Sequence, residues 1–224
     1  MRFTLYLANK TYSGWSLRAW LLFRHFQIDF DEYVIPLYGK EHLDFKVRHK
    51  PVRQFPALEI GASDAPFMIW DSLAITEFLS ETYPKKRIWP DDKSTRAAAR
   101  SLCAEMHSGF KALRSTMPMN TRRAYLTFLP DKETQADIDR ITQLWSWARE
   151  TFASEGPYLF GTEFTAADAF FAPVASRFRT YSINPGAREK DYCDLLLSHP
   201  AVIDYYKEAE QEKWILSHNE FDRE

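Results

Sequence analysis

Cysteine is scarce in this chain: only Cys103 and Cys193 occur among 224 residues. They form neither a Cys-x-x-Cys pair nor the spacing of a metal site, and a chain of this length can bury a core without a disulfide. The sequence therefore predicts two reduced, buried thiols and no bound metal.

An excess of positive charge is also missing, since the formal net charge is -2 at pH 7. Nucleic acid is therefore not an expected partner. No apolar run reaches the length of a membrane span, and the first residues lack the basic-then-apolar pattern of a signal peptide. These absences favour a cytoplasmic protein with no membrane partner.

Aromatic side chains, in contrast, are abundant, with 7 Trp, 17 Phe and 11 Tyr. Hydrophobic residues make up 45% of the chain and charged residues 27%, which is typical of a globular protein. The aromatic content indicates either a heavy core or an apolar cleft, and composition does not distinguish the two.

The first third of the chain alternates strand and helix signals. Residues 3–7 alternate as a strand, residues from about 15 to 26 are apolar at helical spacing, and residues 28–35 predict a second strand. A strand, a helix and a parallel strand form a right-handed βαβ unit. Residues 38–50 are polar and predict a loop with a short helix.

A hairpin and a helix are expected next. Residues 57–60 and 67–70 predict two strands joined by a turn at 61–64, and Ser72 is a natural N-cap for a helix that ends near residue 83. The preceding Phe55-Pro56 bond is a position where a cis peptide can occur. Together with the βαβ unit, these elements predict a small α/β domain.

The remainder of the chain is predicted to be helical. Prolines and a charge cluster at 83–92 mark a linker. Helices are predicted over about 94–116, over 134–152, after a capping box of Thr165 and Asp168, and over about 192–215 with an interruption near residue 200, before a loosely held tail at 217–224. We therefore expect three parts: an α/β domain at 1–84, a linker at 85–93 and an all-α helical bundle at 94–224.

Two hydroxyl side chains, Ser13 and Ser16, lie where the first strand turns into the first helix. Backbone N–H groups at a helix start are unpaired and carry partial positive charge, so a thiolate or another anion is stabilised there. The alternative is that Ser13 or Ser16 merely caps the helix. These residues alone leave both interpretations open.

Four segments together resemble the cytosolic glutathione S-transferases, and they cover nearly the whole chain. Residues 13–18 (SGWSLR) resemble the SSCSWR-type segment of the zeta class, and residues 54–58 (QFPAL) resemble the V-P-x-L element with its cis proline. Residues 71–75 (DSLAI) resemble the E/D-S-x-A-I element, and residues 165–168 (TAAD) resemble the S/T-x-A-D capping box. The opening at residues 9–18 is similar to that of bacterial members of the serine type.

This resemblance implies a thioredoxin-like N-terminal domain that binds glutathione and a helical domain that contributes the electrophile site. The implied enzyme is a glutathione transferase in which Ser13 donates a hydrogen bond to the thiolate of glutathione. Ser16 is the second candidate for that contact and Tyr12 the third. Trp15 replaces the cysteine of the zeta segment, so exchange chemistry that depends on a protein cysteine is not expected there.

The resemblance also implies how the two substrates are held. The Phe55 backbone before Pro56 aligns the cysteinyl part of glutathione, Asp71 meets the γ-glutamyl amino group, and Ser72 meets the adjacent carboxylate. The glycyl carboxylate is expected to bind Gln54, with Arg53 or Lys40 as further candidates. The electrophile site is expected between the domains, lined by Met106, His107, Phe110 and Arg114.

Three alternatives remain. The resemblance also fits a glutathione-dependent isomerase of the maleylacetoacetate isomerase type, or a glutathione-binding relative without turnover. A thiol-disulfide oxidoreductase is disfavoured because no cysteine occupies position 13 or 16. The family commonly forms homodimers, so the expected partners are glutathione as co-substrate, a small electrophile and a second copy of the chain.

Overall fold

The computed structural model describes residues 2–61, 67–153 and 156–221, and a four-stranded mixed sheet organises the first part of the chain. Its strands and helices follow one another as β1 (Phe3–Leu7), α1 (Gly14–His25), β2 (Asp31–Val34), α2 (Lys40–Arg48), β3 (Ala57–Ile60), β4 (Phe67–Trp70) and α3 (Ser72–Thr82).

The strand order is β2-β1-β3-β4, with β1 parallel to β2 and antiparallel to β3, and β3 antiparallel to β4. The predicted βαβ unit and hairpin are therefore confirmed. The second strand is shorter than predicted and begins at Asp31. The turn predicted at 61–64 lies outside the described residues after Gly61.

The second part of the chain is helical. After a short 3-10 helix at Pro84–Lys86 come α4 (Lys93–Ser108), α5 (Lys111–Thr116), α6 (Lys132–Phe152), α7 (Ala166–Thr180), α8 (Ala187–Leu197) and α9 (Pro200–Glu210), and a last 3-10 helix at Ser217–Asn219. None of the described helices is both long and apolar enough to cross a lipid bilayer. The predicted fold class, an α/β domain followed by a helical domain, is confirmed.

Helices α1 and α7 form the centre of the molecule, and one hydrophobic core runs through both parts of the chain. Their close approach depends on Gly14, because a Cβ there would lie 2.9 Å from Pro173 Cβ. Pro173 lies inside α7. Cys103 and Cys193 are both buried free thiols, as predicted, and burial raises the pKa of Cys193 to about 12.

Two predicted helices differ from the structure. The helix predicted over 94–116 is broken after Ser108, because Gly109 has an extended backbone with φ of -96° and ψ of -163° and Phe110 has a left-handed backbone with φ of 57°. The final helix starts at Ala187, before the predicted residue 192, and ends at Glu210, before the predicted residue 215. Its predicted interruption near residue 200 is confirmed, since α8 ends at Leu197 and α9 begins at Pro200.

The tail is held more firmly than predicted. The Glu220 carboxylate accepts hydrogen bonds from Tyr12 Oη at 2.6 Å, Asn120 Nδ2 at 3.1 Å and Arg123 Nε at 2.7 Å. The prediction of a loosely held tail is therefore wrong for this segment, since carboxylates that accept several bonds are well anchored. Residues 222–224 lie outside the described part of the chain.

Candidate active site

Ser13 is the N-cap of α1. Its Oγ accepts a hydrogen bond from Ser16 N at 3.2 Å and its hydroxyl donates to Ser16 Oγ at 2.9 Å. Of the two serines, Ser13 and not Ser16 caps the helix, because the residue before the first helical turn has the extended backbone that capping needs. Ser16 instead accepts a bond from Ala8 N at 2.9 Å and thereby ties the start of α1 to the end of β1.

The second wall of the site is the Phe55-Pro56 turn. This peptide bond is cis, as the sequence allowed. The Pro56 carbonyl accepts a hydrogen bond from Asp71 N at 3.2 Å, so the turn and the start of α3 are joined. Both Phe55 and Pro56 are buried, which leaves mainly their backbone available to a ligand.

Asp71, and not Ser72, is the N-cap of α3. Its Oδ1 accepts a hydrogen bond from Leu73 N at 2.8 Å, and its backbone has φ of 81°, a region that L-residues rarely adopt. Such a conformation costs about 1–3 kcal/mol and is kept where surrounding contacts enforce it. Asp71 Oδ2 faces the helical domain and lies 3.1 Å from His107 Nε2.

Ser72 is left with an unused hydroxyl. The side chain is 1% exposed, and its Oγ has no hydrogen-bond partner among the described residues. A buried hydroxyl without a partner costs free energy, so an oxygen at the start of a helix in this state suits an incoming ligand group.

These elements surround one cavity of about 380 Å³ at the junction of the two parts of the chain. The lining residues come from α1, the cis-proline turn, the start of α3 and α4: Trp15, Gln54, Phe55, Pro56, Asp71, Ser72 and His107. A larger cavity of about 730 Å³ lies on the other face of the sheet beside α2. We assign the site to the smaller cavity, because there a helix N-terminus, a carboxylate and an unpaired hydroxyl converge.

Trp15 lies at this junction and contacts three charged or titratable side chains. The guanidinium of Arg18 lies 4.4 Å and that of Arg114 5.4 Å from its ring centroid, and the ring of His107 meets it edge-on at 5.0 Å. Arg18 is buried, and its Nε and Nη1 have no hydrogen-bond partner within the described residues. Burial lowers the pKa of Arg18 to about 9, so the group stays charged at neutral pH.

The sequence did not predict this arrangement. Trp15 and Arg18 lie three residues apart, which puts them on one face of a helix and was the available signal. The contact between Asp71 and His107 had no such signal, because it joins two helices that are distant in the chain.

Several predicted site residues do not line the cavity. Tyr12 Oη is bonded to Glu220, Lys40 Nζ pairs with Asp44 at 2.7 Å, and Arg53 is exposed. Of the residues predicted for the electrophile, Met106 and Phe110 are buried in the core. Arg114 donates to the Met106 carbonyl at 3.0 Å, so only His107 of that set faces the cavity.

The two serines differ in access. Ser13 is 8% exposed and Ser16 is fully buried, and neither is among the residues that line the cavity. Within residues 2–61, 67–153 and 156–221, no three His, Cys, Asp or Glu side chains are arranged to hold a metal ion.

Two family models match this chain, and together they cover most of it. Residues 12–82 match the glutathione S-transferase N-terminal domain, and residues 97–208 match the glutathione S-transferase C-terminal domain. The chain belongs to the glutathione S-transferase family.

The curated relatives have more specific names than the family models, but their sequence identity to this chain is low. The chain is 27% identical to a maleylacetoacetate isomerase of Rattus norvegicus over 60% of its own length and 58% of that protein. It is 24% identical to a probable maleylacetoacetate isomerase of Caenorhabditis elegans over 89% of this chain and 90% of that one. The alignments with the rat protein and with a Drosophila melanogaster relative span less than two thirds of those proteins' lengths.

Solved structures share the fold. A Burkholderia glutathione transferase homolog with bound glutathione superposes with a TM-score of 0.69 at 22% identity, covering 95% of this chain and 100% of that one. A maleylacetoacetate isomerase from Anaeromyxobacter dehalogenans, with bound dicarboxyethyl glutathione and citrate, gives a TM-score of 0.67 at 18% identity, with coverage of 95% and 93%. At these identities the likeness concerns the fold.

Proposed function

We propose that this glutathione S-transferase family member is a glutathione-dependent enzyme that activates the glutathione thiol for attack on a small electrophile. The observation that carries the proposal is the start of α3, where Asp71 Oδ2 and the unpaired Ser72 hydroxyl border the same cavity as the Phe55-Pro56 turn. A carboxylate beside a helix N-terminus suits an amino acid end group, which carries an ammonium and a carboxylate together.

In this proposal the γ-glutamyl ammonium binds Asp71, and its carboxylate binds the Ser72 hydroxyl and the N-terminus of α3. The backbone at Phe55 aligns the cysteinyl part, and the glycyl end lies toward Gln54, with Arg53 and Lys40 as more distant cations. The cysteinyl sulfur then points toward the start of α1.

Ser13 is the proposed hydrogen-bond donor to the sulfur. Its hydroxyl rotates away from Ser16, whose own proton then bonds to Ser13 Oγ, so that the two hydroxyls form a chain that ends on the thiolate. The thiol proton leaves to solvent, and the thiolate forms a C–S bond with the electrophilic carbon while a halide departs with the electron pair of its bond. Each unit by which the thiol pKa falls corresponds to about 1.4 kcal/mol of thiolate stabilisation.

The test compares wild type with Ser13→Ala, using an activated aryl halide and the ultraviolet absorbance of the bound thiolate. We expect Ser13→Ala to raise the thiol pKa and to lower kcat/KM by about 10- to 100-fold, in line with loss of a hydrogen bond to a charged group. Ser101→Ala is the matched control, since that hydroxyl is exposed on α4 and donates to the Ala97 carbonyl. Bound glutathione with no shift of thiol pKa and no turnover would contradict the proposal and support a binding protein.

An isomerase is the second candidate, favoured by the names of the curated relatives. Here the thiolate adds to one carbon of a conjugated double bond, the electron pair moves onto the neighbouring carbonyl, the resulting single bond rotates, and elimination restores the thiolate. Because glutathione is not consumed, an isomerase converts many equivalents of a cis-unsaturated diacid with catalytic glutathione, whereas a transferase consumes one glutathione per product.

We propose a cytoplasmic homodimer with domains at 1–84 and 94–224 joined by a linker at 85–93. Sedimentation of the purified protein at micromolar concentration tests the dimer, since a monomer alone would contradict it.

A further inference from the structure

The helical domain reaches into the proposed γ-glutamyl subsite through one side chain. His107 lies near the end of α4, yet its Nε2 is 3.1 Å from Asp71 Oδ2 at the start of α3. Gln54 Nε2 makes only a long contact of 3.5 Å with the same oxygen. His107 is therefore the principal partner of this carboxylate oxygen among the described residues.

The two carboxylate oxygens of Asp71 make different contacts. Oδ1 caps α3 through Leu73 N, and this bond fixes the side chain in its strained backbone setting. Oδ2 is therefore the oxygen that a ligand ammonium has to approach, and His107 already donates to it.

The other imidazole nitrogen has no role in holding the ring. His107 Nδ1 is buried without a hydrogen-bond partner in the described chain, so the bond to Asp71 and the edge contact with Trp15 orient the side chain. When Nδ1 takes up a proton, the imidazolium pairs more strongly with Asp71. It also places a positive charge beside the position of the ligand ammonium.

The charged groups around His107 come from three other elements. Asp71 of α3 faces it from one side, Arg18 of α1 lies behind Trp15, and Arg114 of α5 lies on the same tryptophan. Burial lowers the pKa of His107 below its ordinary 6.5, Asp71 opposes this shift, and the two arginines add to it. His107 therefore takes up its proton at a lower pH than an unperturbed histidine does.

We propose that His107 competes with the γ-glutamyl ammonium for Asp71 Oδ2, so that glutathione binding releases a proton from His107. The inference rests on the proposed glutathione site. His107 acts through Asp71 and is a positioning residue, which assigns it to the glutathione site and not to the electrophile site. By linkage, affinity rises with pH up to the pKa of the free protein's His107, and bound ligand lowers that pKa.

The first test is calorimetric titration of S-methylglutathione between pH 5 and 7. This ligand has no thiol to ionise, and its other groups stay largely charged over the range. We expect the Kd of wild type to fall by about three- to tenfold from pH 5 to pH 7, the effect of removing one like charge. In His107→Gln, which keeps an N–H donor and cannot titrate, the Kd is expected to be flat and close to the wild-type value at pH 7.

His49→Gln is the matched control. His49 is another half-buried histidine, stacked on Phe45 beside α2 and outside the proposed site. This variant should keep the wild-type pH dependence. The same slope in His107→Gln as in wild type, or a flat wild-type Kd, would overturn the inference while leaving the glutathione site intact.

The second test needs no ligand for its first arm. Nuclear magnetic resonance follows the His107 ring of the full chain with pH, and Asp71→Asn should lower its pKa because the opposing carboxylate is gone. Saturating S-methylglutathione should lower the pKa of His107 in wild type. An unchanged pKa in both arms overturns the inference, and absence of binding at every pH overturns the proposed function with it.

Discussion

The hydroxyl of Ser13 donates a hydrogen bond to the hydroxyl of Ser16 across 2.9 Å at the first turn of α1. Only Ser13 retains any exposure, and Ser16 receives a second bond from Ala8 N. The two serines therefore make different contacts, which the sequence did not distinguish. Ser13 caps the helix and keeps slight exposure, whereas Ser16 holds the β1–α1 loop through Ala8 N.

Removing the Ser16 hydroxyl should mainly reduce stability. Ser16→Ala leaves the buried Ala8 N–H without its acceptor, which costs about 1–3 kcal/mol of unfolding free energy. Urea unfolding of wild type, Ser16→Ala and Ser13→Ala measures this. We expect Ser13→Ala to lose about 0.5–2 kcal/mol as a lost N-cap and to lose more activity than Ser16→Ala. A larger activity loss in Ser16→Ala would make Ser16 the thiolate's donor.

The contact between Gly14 and Pro173 should not tolerate a methyl group. Gly14→Ala places a Cβ 2.9 Å from Pro173 Cβ and 3.3 Å from Arg177 Nη1, so α1 and α7 must separate. We expect a loss of about 1–3 kcal/mol, typical of overpacking, measured by urea unfolding. Gly39→Ala is the comparison, because the nearest atom to its new Cβ is 3.8 Å away. Equal losses in the two variants would show that the domain contact is not tight.

Local patterns in the sequence predicted the elements whose partners are near in the chain. Thr165 and Asp168 form the predicted capping box, since Asp168 Oδ2 accepts Thr165 N at 2.8 Å within one helical turn. The break at Gly109 was not predicted, because the apolar spacing continues across it from Met106 to Leu113. What breaks the helix there is the backbone at Gly109 and Phe110, which periodicity does not record.

The candidate site was also only partly predictable, because some of its contacts join residues that are distant in the chain. Motif resemblance pointed to Asp71 and Ser72, and the structure places both at one cavity. It did not reveal which residue caps α3, because aspartate and serine are both good caps. The contact of His107 with Asp71 depends on how two helices pack, and no spacing rule in the sequence describes that.

A pair of histidines joins the end of α1 to the start of α9. His199 Nδ1 accepts Ala201 N at 3.2 Å, so the proton of His199 lies on Nε2 and is donated to His25 Nδ1 at 2.9 Å. Both rings are thus neutral, and Phe164 packs against them at 4.4 and 5.0 Å. A proton added to His25 Nδ1 places one donor against another, the N–H of His199 Nε2. A proton added to His199 Nδ1 removes the acceptor that caps α9.

Stability should therefore fall in acid. Burial, and then His199, lower the pKa of His25 to about 4, whereas the unfolded chain has its ordinary 6.5. The unfolded state binds more protons between these values, so stability is present above pH 6.5 and is lost as pH falls toward 4. We expect a loss on the order of 1–2 kcal/mol after allowing for solvent screening. Urea unfolding at several pH values measures it.

His199→Asn is the informative variant for that prediction. Asparagine still caps α9 but does not titrate, so the stability of the variant should depend less on pH than that of wild type. His218→Asn, in the C-terminal segment against Tyr38, serves as the control. An unchanged pH dependence in His199→Asn would show that His199 does not contribute to the acid sensitivity and that burial of His25 alone accounts for it.

The buried ammonium of Lys10 links the β1–α1 loop to β2 and α9. Its side chain is 2% exposed, and Nζ pairs with Glu32 next to it and with Glu208 of α9. The same ammonium lies 4.9 Å from the centroid of Trp20 and 5.3 Å from that of Tyr205. Both carboxylates keep contact with water, whereas the ammonium does not.

Lys10→Met should therefore cost about 2–4 kcal/mol, near the lower part of the range for breaking a buried pair, because the carboxylates left behind can be hydrated. Lys207→Met removes an exposed lysine that pairs with Asp204 at 3.4 Å, and it should cost about 0–0.5 kcal/mol. Urea unfolding of both variants gives the difference. Since the loop also carries Ser13, we expect Lys10→Met to lower kcat/KM, and equal stability of the two variants would show that the buried pair contributes little.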